Sequence, residues 1–98
     1  MPSITLQSRV QRRPDILSAE INAETALMSA ELGEYYGLNT VASDIWRRLA
    51  QPVTVARLVQ DLAESYEGDP AVIETDVQSV LAGLAEKGLL IVDPVTGG

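Results

Sequence analysis

The spacing of apolar residues changes at Asn39. Before it, apolar and polar positions alternate with a period of two, as in a half-buried strand. After it, they recur at helical spacing. Leu17, Ala19 and Ile21 alternate with Ser18 and Glu20, and Asn22-Ala23-Glu24 suits a tight turn because Asn tolerates a left-handed backbone. A second strand would set Ala26, Met28, Ala30 and Leu32 on one face and Leu27, Ser29 and Glu31 on the other. Gly33 permits the next turn, and Glu34 to Leu38 make a third strand, with Tyr36 and Leu38 inward and Tyr35 on the other side. The three strands form a meander, an antiparallel sheet buried on one face.

Asn39 is placed to cap a helix over Thr40 to Ala50, with Val41, Ile45 and Leu49 as its stripe and Ala42 and Trp46 beside it. Gln51-Pro52 ends it. Thr54 caps the next helix, which turns Val55, Leu58, Val59, Leu62 and Tyr66 inward and stops at Glu67-Gly68, with Gly68 as the left-handed residue. Asp69-Pro70 opens a third helix over 70–87, burying Ile73, Val77, Val80, Leu81 and Leu84 and ending at Gly88. Leu89 to Val92 then covers the core as a short strand or an extended tail, and the residues beyond fray. Ahead of the meander, Ile4 and Leu6 alternate weakly, enough for a short strand. The expected architecture is one α+β domain over 1–98: a three-stranded antiparallel sheet followed by three helices, arranged as a winged helix-turn-helix. Its core would span about 15–92, with an N-terminal strand or arm at 1–14 and a frayed tail at 93–98.

Composition narrows the chemistry. With 46% hydrophobic residues the chain can bury a core. A formal net charge of −7 opposes binding to nucleic acid, whose affinity comes largely from Lys and Arg neutralising phosphates. The third helix, which would enter the major groove in a DNA-binding domain, exposes Glu74, Asp76, Gln78 and Glu86 and carries Lys87 only at its end. The cluster Arg9, Arg12 and Arg13 reads as a solvated face, with no more particular role visible. There is no Cys and no His, which removes disulfides, thiolate nucleophiles and the commonest general base and metal ligand. The carboxylate pairs Glu64/Glu67 and Glu74/Asp76 lie at surface spacing without a positioned nucleophile, and Asp44 and Glu74 are accounted for by helix dipoles. No catalytic residue, metal or cofactor is expected. No apolar run reaches the ~18 residues needed to span a bilayer, and no signal-peptide pattern opens the chain, so the expected location is cytoplasmic.

One feature of the pattern points to a partner. A strand at the edge of a sheet normally carries Pro, Lys or a bulge against association, and residues 34–39 carry none. Gly37 would let another backbone approach. Ser79 and Gly83 form a small-residue row on the third helix beside that edge, although Gly83 costs the helix roughly 1 kcal/mol against Ala. An open groove would explain the glycine; close packing against a neighbouring element would explain it equally well.

The run Tyr36-Gly37-Leu38-Asn39-Thr40-Val41-Ala42-Ser43-Asp44-Ile45-Trp46, continued by Pro52-Val53-Thr54-Val55, resembles the PqqD-like family. Asp76-Val77, Val80-Leu81-Ala82-Gly83-Leu84 and Lys87-Gly88-Leu89-Leu90 are similar to that family's closing pattern. The resemblance covers about residues 15–92. It implies a non-catalytic domain that recognises the leader segment of a ribosomally made precursor peptide, and is most like the free-standing leader-binding proteins of lasso-peptide biosynthesis. Implied partners are the precursor leader and a separate cysteine-type leader peptidase, with the cyclase as a further candidate. Alternatives are a peptide chaperone of another modified-peptide or quinone-cofactor pathway, and a winged-helix DNA-binding regulator. The family mode is strand addition. By position it implicates Glu34, Tyr35, Tyr36 and Gly37 on the third strand and Ile73, Asp76, Val77, Val80 and Leu84 on the third helix. A monomer is expected, with edge pairing as the route to a dimer.

Overall fold

A computed structural model of the chain describes residues 4–22, 24–29 and 33–93. It is an α+β fold of two small antiparallel sheets and three helices. The strands are β1 (Arg9–Arg12), β2 (Ile16–Ile21), β3 (Glu24–Ser29), β4 (Glu34–Leu38), β5 (Val53–Thr54) and β6 (Leu90–Asp93). The helices are α1 (Thr40–Arg48), α2 (Val55–Tyr66) and α3 (Pro70–Glu86). The expected meander exists as β2-β3-β4, with Asn22 at φ 52° in its first turn. The Ala30–Leu32 half of the expected second strand, Ala23 of that turn and the tail beyond Asp93 lie outside the described residues.

The single expected sheet is corrected to two. The second has the order β5-β1-β6, with Val10 paired to Val53 on one side and Val92 on the other. The strand ahead of the meander therefore falls at Arg9–Arg12 rather than on Ile4 and Leu6, which are half-buried and pack on the core from outside any strand. Val10 is fully buried, so the packed unit begins ahead of residue 15. Three separated segments must meet to build this sheet, and periodicity along one segment carries no trace of such a meeting.

A second correction concerns which faces are buried. On β3, where the pattern left the inward face open, the residues turned to the core are Thr25, Leu27 and Ser29, with Ala26 and Met28 on the other side. Leu27 is wholly enclosed by the helices, and the register Leu27↔Tyr36 puts Tyr36 on the same side. On β2 the apolar face is outward altogether, with Leu17 58% and Ile21 62% exposed. Two other residues expected in the core, Val41 and Tyr66, are 41% and 46% exposed.

The helices follow their capping residues. The side chains of Asn39, Thr54 and Asp69 accept from the backbone N–H groups of Ala42 (2.8 Å), Arg57 (3.2 Å) and Ala71 (3.0 Å). At the end of α2 the left-handed residue is Glu67, at φ 50°, not Gly68. Gly88, at φ 74°, ends α3 as expected. Trp46, Ile45, Leu49, Leu58, Leu62, Val77 and Leu81 form the centre of the core.

Arg12 and Asp44 are absorbed into structure. The Arg12 guanidinium lies 5.5 Å above the Trp46 ring and donates to the Trp46 carbonyl at 3.4 Å. Arg13 pairs with Asp15 at 3.2 Å. Asp44 does more than meet a helix dipole. It accepts from Arg48 at 2.9 Å and from the Tyr66 hydroxyl at 2.6 Å, tying α1 to α2. Partial burial works against its negative charge, but these two hydrogen bonds and the nearby arginines prevail and hold its carboxyl below the usual aspartate value. The same bond raises the Tyr66 hydroxyl pKa.

A candidate peptide groove beside an open strand edge

The site begins with the β4 edge and what holds it. Among the described residues β4 pairs with β3 alone, and the C-terminal strand β6 pairs with β1 on the other sheet. The outer edge of β4 is therefore uncapped by any described strand. Its C-terminal end is pinned where the chain enters α1: the buried Ser43 hydroxyl donates to the Leu38 carbonyl at 3.1 Å, and the Ser43 N–H donates to the Asn39 carbonyl at 2.8 Å. Toward its other end the Tyr36 hydroxyl donates to the Glu34 carboxylate. That bond, followed by desolvation and the Glu34 charge, raises the Tyr36 pKa.

Alongside this edge runs α3. Between them lies a groove of about 430 Å³, lined on the strand side by Tyr35, Tyr36, Gly37 and Leu38 and on the helix side by Ser79, Val80, Gly83, Leu84 and Lys87. Lys87 Nζ stands 5.7 Å from the Tyr36 ring centre at one end. A Cβ added to Gly83 or to Gly37 would meet no atom within 4 Å. The small residues therefore face open space, and close internal packing is excluded as the reason for Gly83.

The expected site residues divide into two groups. Tyr35, Tyr36, Gly37, Val80 and Leu84 line the groove, and Glu34 is joined to it through Tyr36. Ile73, Asp76 and Val77 instead line a second hollow of about 190 Å³, with Val41, Leu62 and Tyr66 between the three helices. Val77 is almost fully buried there. Leu38, Ala42, Lys87 and Leu89 also line the groove and were missed. Ala42 and Leu89 carry no local signal, because each looks like any other core residue. Lys87 could have been found as the sole lysine, placed directly after α3.

Among the described residues no group of three or more Asp or Glu side chains is arranged to hold a metal ion, and no helix is long and apolar enough to cross a membrane. The groove has hydrogen-bonding backbone on one wall and apolar side chains on the other. That combination suits an extended peptide.

Fold and groove together define a small α+β domain whose β4 edge is left open beside a helix. The chain belongs to the family of coenzyme PQQ synthesis protein D (PqqD), whose model matches residues 24–90. Two solved structures share its fold over most of their length. TbiB1 in complex with the TbiA(beta) leader peptide is 31% identical with a TM-score of 0.74, covering 82% of this chain and 93% of that one. A lasso peptide synthetase B1 complexed with the leader peptide is 29% identical with a TM-score of 0.72, covering 84% and 96%. The PqqD part of Methylobacterium extorquens PqqCD, a stand-alone recognition element for ribosomally synthesised and post-translationally modified peptides, is 26% identical with a TM-score of 0.70, covering 85% and 88%. The bifunctional coenzyme PQQ synthesis protein C/D of Methylorubrum extorquens is 49% identical over 37 residues, which are 38% of this chain and 10% of that protein.

Proposed function

We propose that this chain binds the leader segment of a ribosomally synthesised precursor peptide by strand addition and delivers it to a separate cysteine-type leader peptidase in lasso-peptide biosynthesis. The observation that carries the reading is the open edge of β4 beside a groove in which Gly37 and Gly83 face empty space. The two relatives whose structures hold leader peptides support it. A leader strand would pair with β4 and set alternate side chains against α3. Tyr35, Tyr36, Gly37, Val80 and Leu84 make the contacts, Glu34 orients Tyr36, and Ile73, Asp76 and Val77 receive the part of the leader that runs past Leu38. The domain then uses a winged helix-turn-helix order for a peptide rather than for DNA. Residues 58–86 hold no Lys or Arg, so α3 offers nothing to phosphates.

Each backbone hydrogen bond contributes about 0.5–1.5 kcal/mol net, against about 1–2 kcal/mol to fix each leader residue. Pairing therefore sets register, and two or three apolar anchors at roughly 1.5–3 kcal/mol each supply the surplus. The expected Kd lies between about micromolar and tens of nanomolar. The same geometry serves a quinone-cofactor pathway, a second reading favoured by the match to PqqD itself. The two are separated by which labelled leader the chain binds in fluorescence polarisation.

Backbone N-methylation along the leader tests the mode of binding. Strand addition predicts loss of affinity at every second position, and a uniform response would refute it. Val80→Asp should abolish binding in a folded protein; unchanged affinity would exclude the groove.

A further inference from the structure

The path beside β4 is apolar along its middle and carries opposite charges toward its ends. Lys87 directly follows α3, with its ammonium 5.7 Å from the ring centre of Tyr36. Among the described residues it is the only charged one lining the groove. Asp76 is the only charged one lining the three-helix hollow, which Val41, just past the end of β4, also lines. Helix α3 therefore runs counter to β4, with Lys87 near the start of the strand and Asp76 beyond its end. Neither charge joins an ion pair among the described residues, whereas Arg13, Arg47, Arg48 and Arg57 each do. Glu34 accepts from the Tyr36 hydroxyl and leaves Lys87 only the ring face.

We infer that these two residues select the leader by charge: Lys87 receives a carboxylate at the position facing Tyr36, and Asp76 receives a cation farther along. The inference rests on the leader binding proposed above and adds which leaders are accepted. Opposed residues in an antiparallel pair share a face, so a leader residue opposite Tyr36 or Leu38 turns its side chain toward α3. From Asp76 to Lys87 is eleven positions, or ~16 Å at about 1.5 Å per helical residue. An extended leader covers that in about five residues at ~3.3 Å each. Only every second side chain turns inward, so the charged positions fall about four or six apart. The inward residue between them, opposite Leu38, meets Val80 and Leu84 and is apolar. Every strand pair in this fold is antiparallel, and a leader that follows suit places its cation before its carboxylate. Pairs this exposed add little affinity, but a like charge in either place is repelled, so they act mainly on choice between leaders.

The test uses the full chain and the labelled leader that it binds in fluorescence polarisation. Each Asp or Glu of that leader is changed in turn to its amide, and each Lys or Arg to Gln. Every peptide is then measured against wild type, Lys87→Met and Asp76→Asn. Wild type should lose about fivefold at one carboxylate, and about fivefold at one cation about four or six residues before it. The carboxylate change should cost Lys87→Met nothing further, and the cation change should cost Asp76→Asn nothing further. High salt should shrink both couplings. If circular dichroism shows Lys87→Met unfolded, Lys87→Gln replaces it. A loss on Lys87→Met that is equal for every peptide marks a purely structural lysine and overturns the inference. So does the absence of either coupling, or coupled positions an odd number apart. In each of these cases leader binding itself stands; a wild type that binds no leader overturns both.

Discussion

The two sheets are of the same kind, three short antiparallel strands each, and they do opposite things. In β5-β1-β6 the central strand is pressed into the core, and the row Val53, Val10, Val92 lies across it. In β2-β3-β4 only the middle strand is buried, through Leu27; Ile16 of β2 and Tyr36 and Leu38 of β4 pack on the core half-buried, while the rest of β2 and the outer side of β4 stand in solvent. The first sheet ties the N-terminal segment, the α1–α2 connection and the C-terminal strand into one body. The second leaves an edge and a face uncovered. On the function proposed above, stability and recognition fall to separate ribbons, and substitutions can be used to pull them apart.

The largest contrast should come from valine and leucine truncation. Val10→Ala should cost about 2 kcal/mol in urea unfolding, because two buried methyls are lost from a closed site. Leu17→Ala should stay within about 0.5 kcal/mol, as expected for an exposed position. Equal losses would erase the distinction between the sheets. A smaller effect, opposite in sign for the two properties, is expected at the groove. Gly83→Ala should stabilise the domain by about 1 kcal/mol, since the helix gains and no atom is met. The same methyl should weaken leader binding; a variant both more stable and equally tight would show that nothing comes close to Gly83.

Asp44 ties α1 to α2, and Asp44→Asn should cost about 0.5–1 kcal/mol. Its folded pKa is depressed, so its contribution is present above the unfolded value and is lost as pH falls through the lower folded one. In the Asn variant the acid limb of a stability–pH curve should flatten below about pH 4. Tyr36 works in the other direction. Its raised pKa keeps the Glu34 bond intact at neutral pH and releases it only as pH rises past the ordinary tyrosine range near 10. Smallest of all, leader affinity should change less than about twofold between pH 6 and 8, because the chain has no His to titrate there. A larger change traced to this chain rather than to the leader would count against the groove chemistry.

What could be read along the chain was whatever depends on neighbours in sequence. The period change at Asn39, the three capping side chains, Gly88 after α3 and the strand Glu34–Leu38 with Tyr35 outward are all local matters of backbone conformation and side-chain direction. The bare edge was legible too, as the absence of blocking residues at 34–39. Three things were decided only in three dimensions. The sheet β5-β1-β6 needs segments some forty residues apart to meet, and a strand of two to four residues has too little alternation to announce itself. The inward face of β3 could not be chosen from its pattern, because Ala26 and Met28 are as apolar as Leu27; packing against the helices chose Leu27. And β2, apolar on the side that ought to be buried, is turned outward by its pairing to β3, which puts Ser18 and Glu20 on the Leu27 side, a register that hydrophobic periodicity does not contain.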